Sequence, residues 1–97
     1  MKLRKLKADA QASTFAVGVG REKLKQRDLT GAIEQFREAI KLAADNPQAH
    51  YQLALALRQA GREADARPHF AEAQRLSPWL KPPPPVAAAS AQRGQSR

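Results

Sequence analysis

Ninety-seven residues, 42% of them hydrophobic and none of them cysteine, allow one small domain with a modest core and exclude disulfides, thiol chemistry and cysteine-ligated metal. The formal charge of +8 is uneven: residues 21–78 carry ten Lys or Arg against eight Asp or Glu, so the excess sits in the two ends. That distribution argues against nucleic acid as a partner of the folded part, leaving tail-mediated attraction to polyanions as a minor reading. No apolar run approaches the ~20 residues of a membrane span. The basic opening MKLRKLK is interrupted too early by Asp9 to read as a signal peptide, and the cysteine-free composition fits a reducing, cytoplasmic compartment.

Residues 1–8 read as a basic lead-in, 9–80 as a helical domain and 81–97 as a proline-rich, then disordered, tail. The first helix is expected from Asp9 to Arg27, with Ala12, Phe15, Ala16, Val19, Gly20 and Leu24 at helical spacing. Gly18 and Gly20 each cost about 1 kcal/mol in a helix, and Gly20 is the better candidate for a close contact. Asp28 caps a second helix, Thr30 to Ala43, whose apolar face is Ala32, Ile33, Phe36, Ala39, Ile40 and Ala43. Asp45-Asn46-Pro47 is a strong start signal for the third, most apolar helix, which ends at Ala60 before Gly61. The fourth is expected from Arg62 to Leu76, opened by a Glu63–Arg67 pair, with Pro68 near its first turn. Ser77-Pro78 stops the pattern, Trp79 and Leu80 follow, and Pro82 to Pro85 read as a stiff polyproline spacer or, less simply, a ligand for an aromatic-lined groove.

The second and fourth helices are related. Ala32, Phe36, Glu38, Ala39 and Leu42 recur 34 residues later as Ala66, Phe70, Glu72, Ala73 and Leu76. Self-similarity at that period marks a helix-pair solenoid. From Ser13 to Leu80 the chain resembles the tetratricopeptide repeat family. Leu53, Ala54, Leu57, Gly61, Ala66, Phe70, Ala73 and Pro78 occupy the signature places of one unit; Gly20, Leu24, Asp28, Ala32, Phe36 and Ala39 those of another. The resemblance implies an all-α fold, two antiparallel helix pairs forming a short right-handed solenoid. Its packing residues would be Gly20, Ala32, Phe36, Ala39, Leu53, Ala54, Leu57, Ala66, Phe70 and Ala73. Arg27 departs from the pattern, standing where the second unit has Gly61.

The resemblance also implies a non-catalytic module that holds a partner protein, peptide or helix in a concave groove. Groove residues would be Gln48, Tyr51, Gln52, Leu55, Arg58 and Gln59 on the third helix and Thr14, Val17, Arg21, Leu24 and Lys25 on the first. Arg21, Lys25 and Arg58 would meet carboxylates, although all these side chains read equally well as a solvated surface. The lysine–asparagine clamp of members that bind acidic chaperone tails is missing, its places holding Val17, Arg21, Tyr51 and Leu55. With only two units, the stack end is expected either to be capped by Trp79 and Leu80 packed over Phe70 and Leu76, or to pair with a second copy as a homodimer or longer array. His50 and His69 read as packing or surface residues, no serine has a nucleophile's surroundings, and neither metal nor cofactor is expected.

Overall fold

The computed structural model describes residues 2–83, with side chains from residue 8 onward. The tail beyond Pro83, including Pro84 and Pro85, and the side chains of Lys2, Arg4, Lys5 and Lys7 lie outside the described residues. Four helices follow one another: α1 (Lys2–Lys25), α2 (Leu29–Leu42), α3 (Pro47–Gln59) and α4 (Glu63–Leu76), with no strand among the described residues. α1 packs along α2 and α3 along α4, and α3 also lies against both α2 and α1. The result is two stacked helix pairs.

Local chemistry sets the boundaries. Asp28 caps α2 by accepting a hydrogen bond from Gly31 N at 2.9 Å, and Asn46 caps α3 by accepting from Gln48 N and Ala49 N. α1 and α3 end in the same way. Arg27 N donates to Leu24 O and Asp28 N to Lys23 O, just as Gly61 N donates to Arg58 O and Arg62 N to Leu57 O. Both stops need a left-handed residue, and Arg27 (φ 64) and Gly61 (φ 79) supply it. The missing turn glycine therefore leaves the turn unchanged; Arg27 adopts the strained conformation instead.

α1 begins at Lys2 rather than Asp9, continuing through the basic lead-in. Its buried face also differs from the one its apolar residues suggest. Ser13, Ala16, Val17 and Gly20 are buried, whereas Phe15 is 74% exposed and Ala12 is open to solvent. Ser13 takes a core position because its hydroxyl is satisfied: Oγ donates to Ala39 O at 2.7 Å and accepts from Asn46 Nδ2 at 2.9 Å. One serine thus ties α1 to the end of α2 and to the cap of α3.

In α4, Pro68 is the sixth residue, beyond the first turn, so the carbonyl of Ala64 has lost its usual helical donor. Glu63 pairs with Arg58 of α3, not with Arg67.

The core is built from small and large residues in alternation. Ala32, Phe36 and Ala39 of α2 and Ala66, Phe70 and Ala73 of α4 are buried with Leu53, Ala54 and Leu57 of α3. Phe36 lies directly on Gly20: a Cβ there would meet ring atoms Cδ1 at 2.7 Å and Cζ at 2.9 Å. Trp79, expected to close the stack, is 78% exposed and does not cap it. A short turn held by Leu80 N donating to Ser77 O carries the chain back toward α3, leaving Trp79 outside and Leu80 half-buried.

Candidate binding surface

At 100° per residue α3 has four stripes, each with a different job. His50, Ala54 and Leu57 are buried on the side of α4, and Ala49, Leu53 and Ala56 are buried on the side of the first pair. Gln48, Gln52, Leu55 and Gln59 face away from α4, and Gln48 and Gln59 border hollows shared with α1. Tyr51 and Arg58 form the fourth stripe, turned toward α4 and the returning tail, where Tyr51 meets Phe70 edge-on.

The candidate groove residues therefore fall into three places, not one. Arg21 and Gln48 share a hollow of about 300 Å³ with Thr14, Val17, Gly18 and Asn46. Lys25 and Gln59 lie at another, bounded by Leu24, Arg27 and Leu29. Tyr51 and Leu55 are half-buried and pack on the core, and Gln52 is half-buried beside them.

Arg58 is not the open groove cation that its position in sequence suggests. Its side chain is only 10% exposed and its guanidinium holds Glu63 through two bonds, Nε to Oε1 at 2.8 Å and Nη2 to Oε2 at 3.1 Å. It also sits 4.6 Å above the Phe70 ring. A guanidinium paired in this bidentate way has its charge balanced before any ligand arrives.

Arg58 Nη1 further donates to Pro83 O at 2.6 Å, and Tyr51 Oη donates to Lys81 O at 3.2 Å. The start of the proline tail thus runs along α3 in the direction of that helix. Beside it lies a hollow of about 380 Å³ lined by Arg58, Glu63, Arg67, Phe70, Ala71, Gln74 and the two prolines. Sequence reasoning left the tail apart from the helices, because nothing local in Lys81–Pro83 signals a partner more than twenty residues away.

The two histidines, far apart in sequence, also meet. Their Nδ1 atoms are 3.4 Å apart across α3 and α4, and His50 Nε2 lies 2.8 Å from Ala44 O. A carbonyl only accepts, so His50 Nε2 carries a proton; with His50 neutral, His69 Nδ1–H donates to its Nδ1. Ring centroids 5.7 Å apart leave this an edge-to-edge contact despite the nearly parallel planes. Burial holds the His69 pKa below its ordinary value, with His50 and Arg37 acting in the same direction and Asp65 opposing them. Among the described residues no three His, Asp or Glu cluster as a metal site would require. On the surface, Arg75 draws the exposed Glu72 carboxyl below its usual range through a direct hydrogen bond.

No helix among the described residues is long and apolar enough to cross a membrane. No curated protein and no solved structure matches the chain. The model of a tetratricopeptide repeat family matches residues 20–78, more than half of the sequence, from within α1 to just past the end of α4. In general, such repeats mediate protein–protein interaction and are non-catalytic. With a 34-residue period, buried Ala-Phe-Ala faces on α2 and α4 and a family match over both pairs, the chain belongs to the tetratricopeptide repeat family.

Proposed function

We propose that the chain is a non-catalytic binding module whose partner lays a peptide or helix across the surface between α1 and α3. The observation that carries this reading is the hollow where Thr14, Val17, Gly18 and Arg21 face Asn46 and Gln48. Its chemistry suits an acidic or carboxylate-bearing segment. Arg21 is exposed at the rim with Lys25 one turn further along α1, and Gln48 offers an amide that both donates and accepts. Gly18 keeps the floor open, since a Cβ there would meet nothing within 4 Å. Gln52, Leu55 and Gln59 extend the α3 side.

The test places a photo-crosslinking side chain at Thr14, in the hollow, or at Arg37, exposed on α2. A single partner caught from Thr14, and lost with Arg21→Glu or Gly18→Phe, is the expected result. Equal capture from both positions, indifferent to those substitutions, would rule the groove out.

Phe15 favours a second reading, self-association. It is 74% exposed, with Ala12 and Val19 one turn away on either side. The positions 34 residues after Phe15 and Val19 are Ala49 and Leu53, both buried on the side of the preceding pair. This flank of α1 is thus where a preceding pair, or a second copy, would lie. Sedimentation equilibrium over a wide concentration range tests it: a dimer abolished by Phe15→Ser supports the reading, and a wild type monomeric at every concentration removes it.

A further inference from the structure

The same offset exposes a contrast between the two pairs. α3 packs on the face of the first pair that carries Val17, Leu24, Leu29, Ile33, Phe36 and Ile40. Thirty-four residues later those positions read Tyr51, Arg58, Glu63, Arg67, Phe70 and Gln74. An apolar helix seat has become an aromatic ring surrounded by hydrogen-bonding groups. Such a face does not suit another repeat helix, which would bury the exposed Arg67 and Gln74 and take the Arg58–Glu63 ion pair out of water.

It does suit an extended chain rich in proline. A proline run has no N–H groups to offer and keeps its carbonyls outward and unsatisfied, so a complementary surface must supply donors beside an aromatic floor. Tyr51 Oη and Arg58 Nη1 are those donors, and they take the carbonyls of Lys81 and Pro83. Phe70 is the floor, with the Tyr51 ring against its edge and Arg58 above its face. Arg58 is already fixed by Glu63, so little side-chain freedom is lost when a carbonyl arrives. The hollow along Arg67, Ala71 and Gln74 leaves room beside the prolines for further residues.

We propose that the face formed by Tyr51, Arg58 and Phe70 is a docking site for a proline-rich extended peptide of a partner protein, and that the chain's own Lys81–Pro83 occupies it as an exchangeable internal ligand. The proposal rests on the reading of the chain as a peptide-binding module but puts the peptide on a different face from the Arg21 hollow, so either can fail alone. Self-occupancy lowers the apparent affinity for an outside peptide by the fraction of molecules whose seat is free, so weakening the tail's hold strengthens binding.

The experiment titrates the full chain, labelled for NMR, with the peptide Lys-Pro-Pro-Pro-Pro, blocked at both ends. Shifts confined to Tyr51, Arg58, Phe70 and Gln74 are expected, with the Arg21 hollow silent. Pro82→Gly/Pro83→Gly should tighten peptide binding several-fold. In that glycine variant, where the tail no longer competes, Tyr51→Phe, which keeps the ring and removes only the donor, should weaken binding about fivefold, as expected for one hydrogen bond. No localised shift in either the wild type or the glycine variant overturns the proposal. Binding to the glycine variant that ignores Tyr51→Phe also overturns it. If the glycine substitutions move the Arg58 and Tyr51 signals but no peptide binds, the tail is a fixed strap and the docking site is refuted.

Discussion

Two glycines two residues apart on α1 should respond to the same substitution with opposite signs. Gly18 is exposed, and a Cβ there would touch nothing within 4 Å. Gly18→Ala therefore adds only helix propensity, about 1 kcal/mol of stabilisation. Gly20 gains the same propensity, but its Cβ would enter the Phe36 ring at three atoms. Phe36 has no exposed surface and lies between Ala32 and Ala39, also fully buried, so it has nowhere to turn. Overpacking of this kind costs about 1–3 kcal/mol, leaving Gly20→Ala destabilised by up to ~2 kcal/mol after the propensity gain. At about 4–8 °C per kcal/mol for a domain of this size, the two variants should melt on opposite sides of the wild type. The assay is thermal unfolding followed by far-UV circular dichroism. Adding Phe36→Leu should reduce the damage at Gly20 while leaving Gly18→Ala additive. Two melts shifted upward by the same amount would mean that Phe36 does not press on Gly20, and the packing of the first pair described above would be wrong.

Other substitutions probe separate features. Arg27→Gly relieves a left-handed non-glycine residue and should raise stability by about 1 kcal/mol, whereas Gly61→Arg, its mirror at the end of α3, should lower it; equal effects in chemical denaturation would show that the turn does not set them. Ser13→Ala leaves Asn46 Nδ2 without its acceptor and should cost about 1–3 kcal/mol, measurable by urea unfolding, while a surface control such as Thr14→Ala stays near wild type. Pro68→Ala restores a donor to the Ala64 carbonyl and should stabilise α4 by about 1–2 kcal/mol, after allowing for the entropy proline removes from the unfolded chain; a lower melting temperature would contradict this. His69 has a folded pKa below 6.5, so as pH falls past 6.5 the unfolded chain takes up a proton before the folded one does. Stability contributed by neutral His69 is thus full above that value and declines through the window down to its folded pKa. His69→Gln should flatten this part of the pH–stability curve, and an unchanged slope would assign the acid sensitivity elsewhere.

Much of this fold was legible because its strongest signals are local or periodic. The 34-residue offset, the Asp28 and Asn46 caps and the alanines beside Phe36 and Phe70 require no knowledge of distant contacts. The departures have specific causes. Phe15 scores as core on hydrophobicity alone, but its flank of α1 has no neighbouring helix among the described residues. Ser13 scores as surface, yet two hydrogen bonds make burial acceptable. Trp79 was expected to bury its large ring, but the chain turns at Ser77–Leu80 and buries part of Leu80 instead. At the surface the limits are sharper. Arg58 and Arg21 look alike as helical cations, and only the placement of Glu63, Phe70 and Pro83 separates a paired, sheltered guanidinium from an exposed one.

The two ends of the stack are chemically unlike, and that difference bears on how a pair of repeats can stand in water. A repeat buries its apolar face only against a neighbour, so each end of a solenoid must be covered or made polar. On the α4 side, the residues that would receive another helix have been replaced by Arg58, Glu63, Arg67 and Gln74, and the one remaining large apolar group, Phe70, lies under the Arg58 guanidinium. On the α1 side the corresponding flank keeps Ala12, Phe15 and Val19 at helical spacing, with a polar replacement only at Glu22, the counterpart of Ala56. Self-association, if it contributes to stability, should therefore respond to Phe15 and be indifferent to Phe70-side charges. Arg67→Glu separates the two: it changes the α4 end by two charge units at an exposed site while leaving Phe15 untouched. A shift in sedimentation behaviour with Arg67→Glu but not with Phe15→Ser would place the contact on the end whose chemistry opposes it, and the division between a polar end and an open end would have to be abandoned.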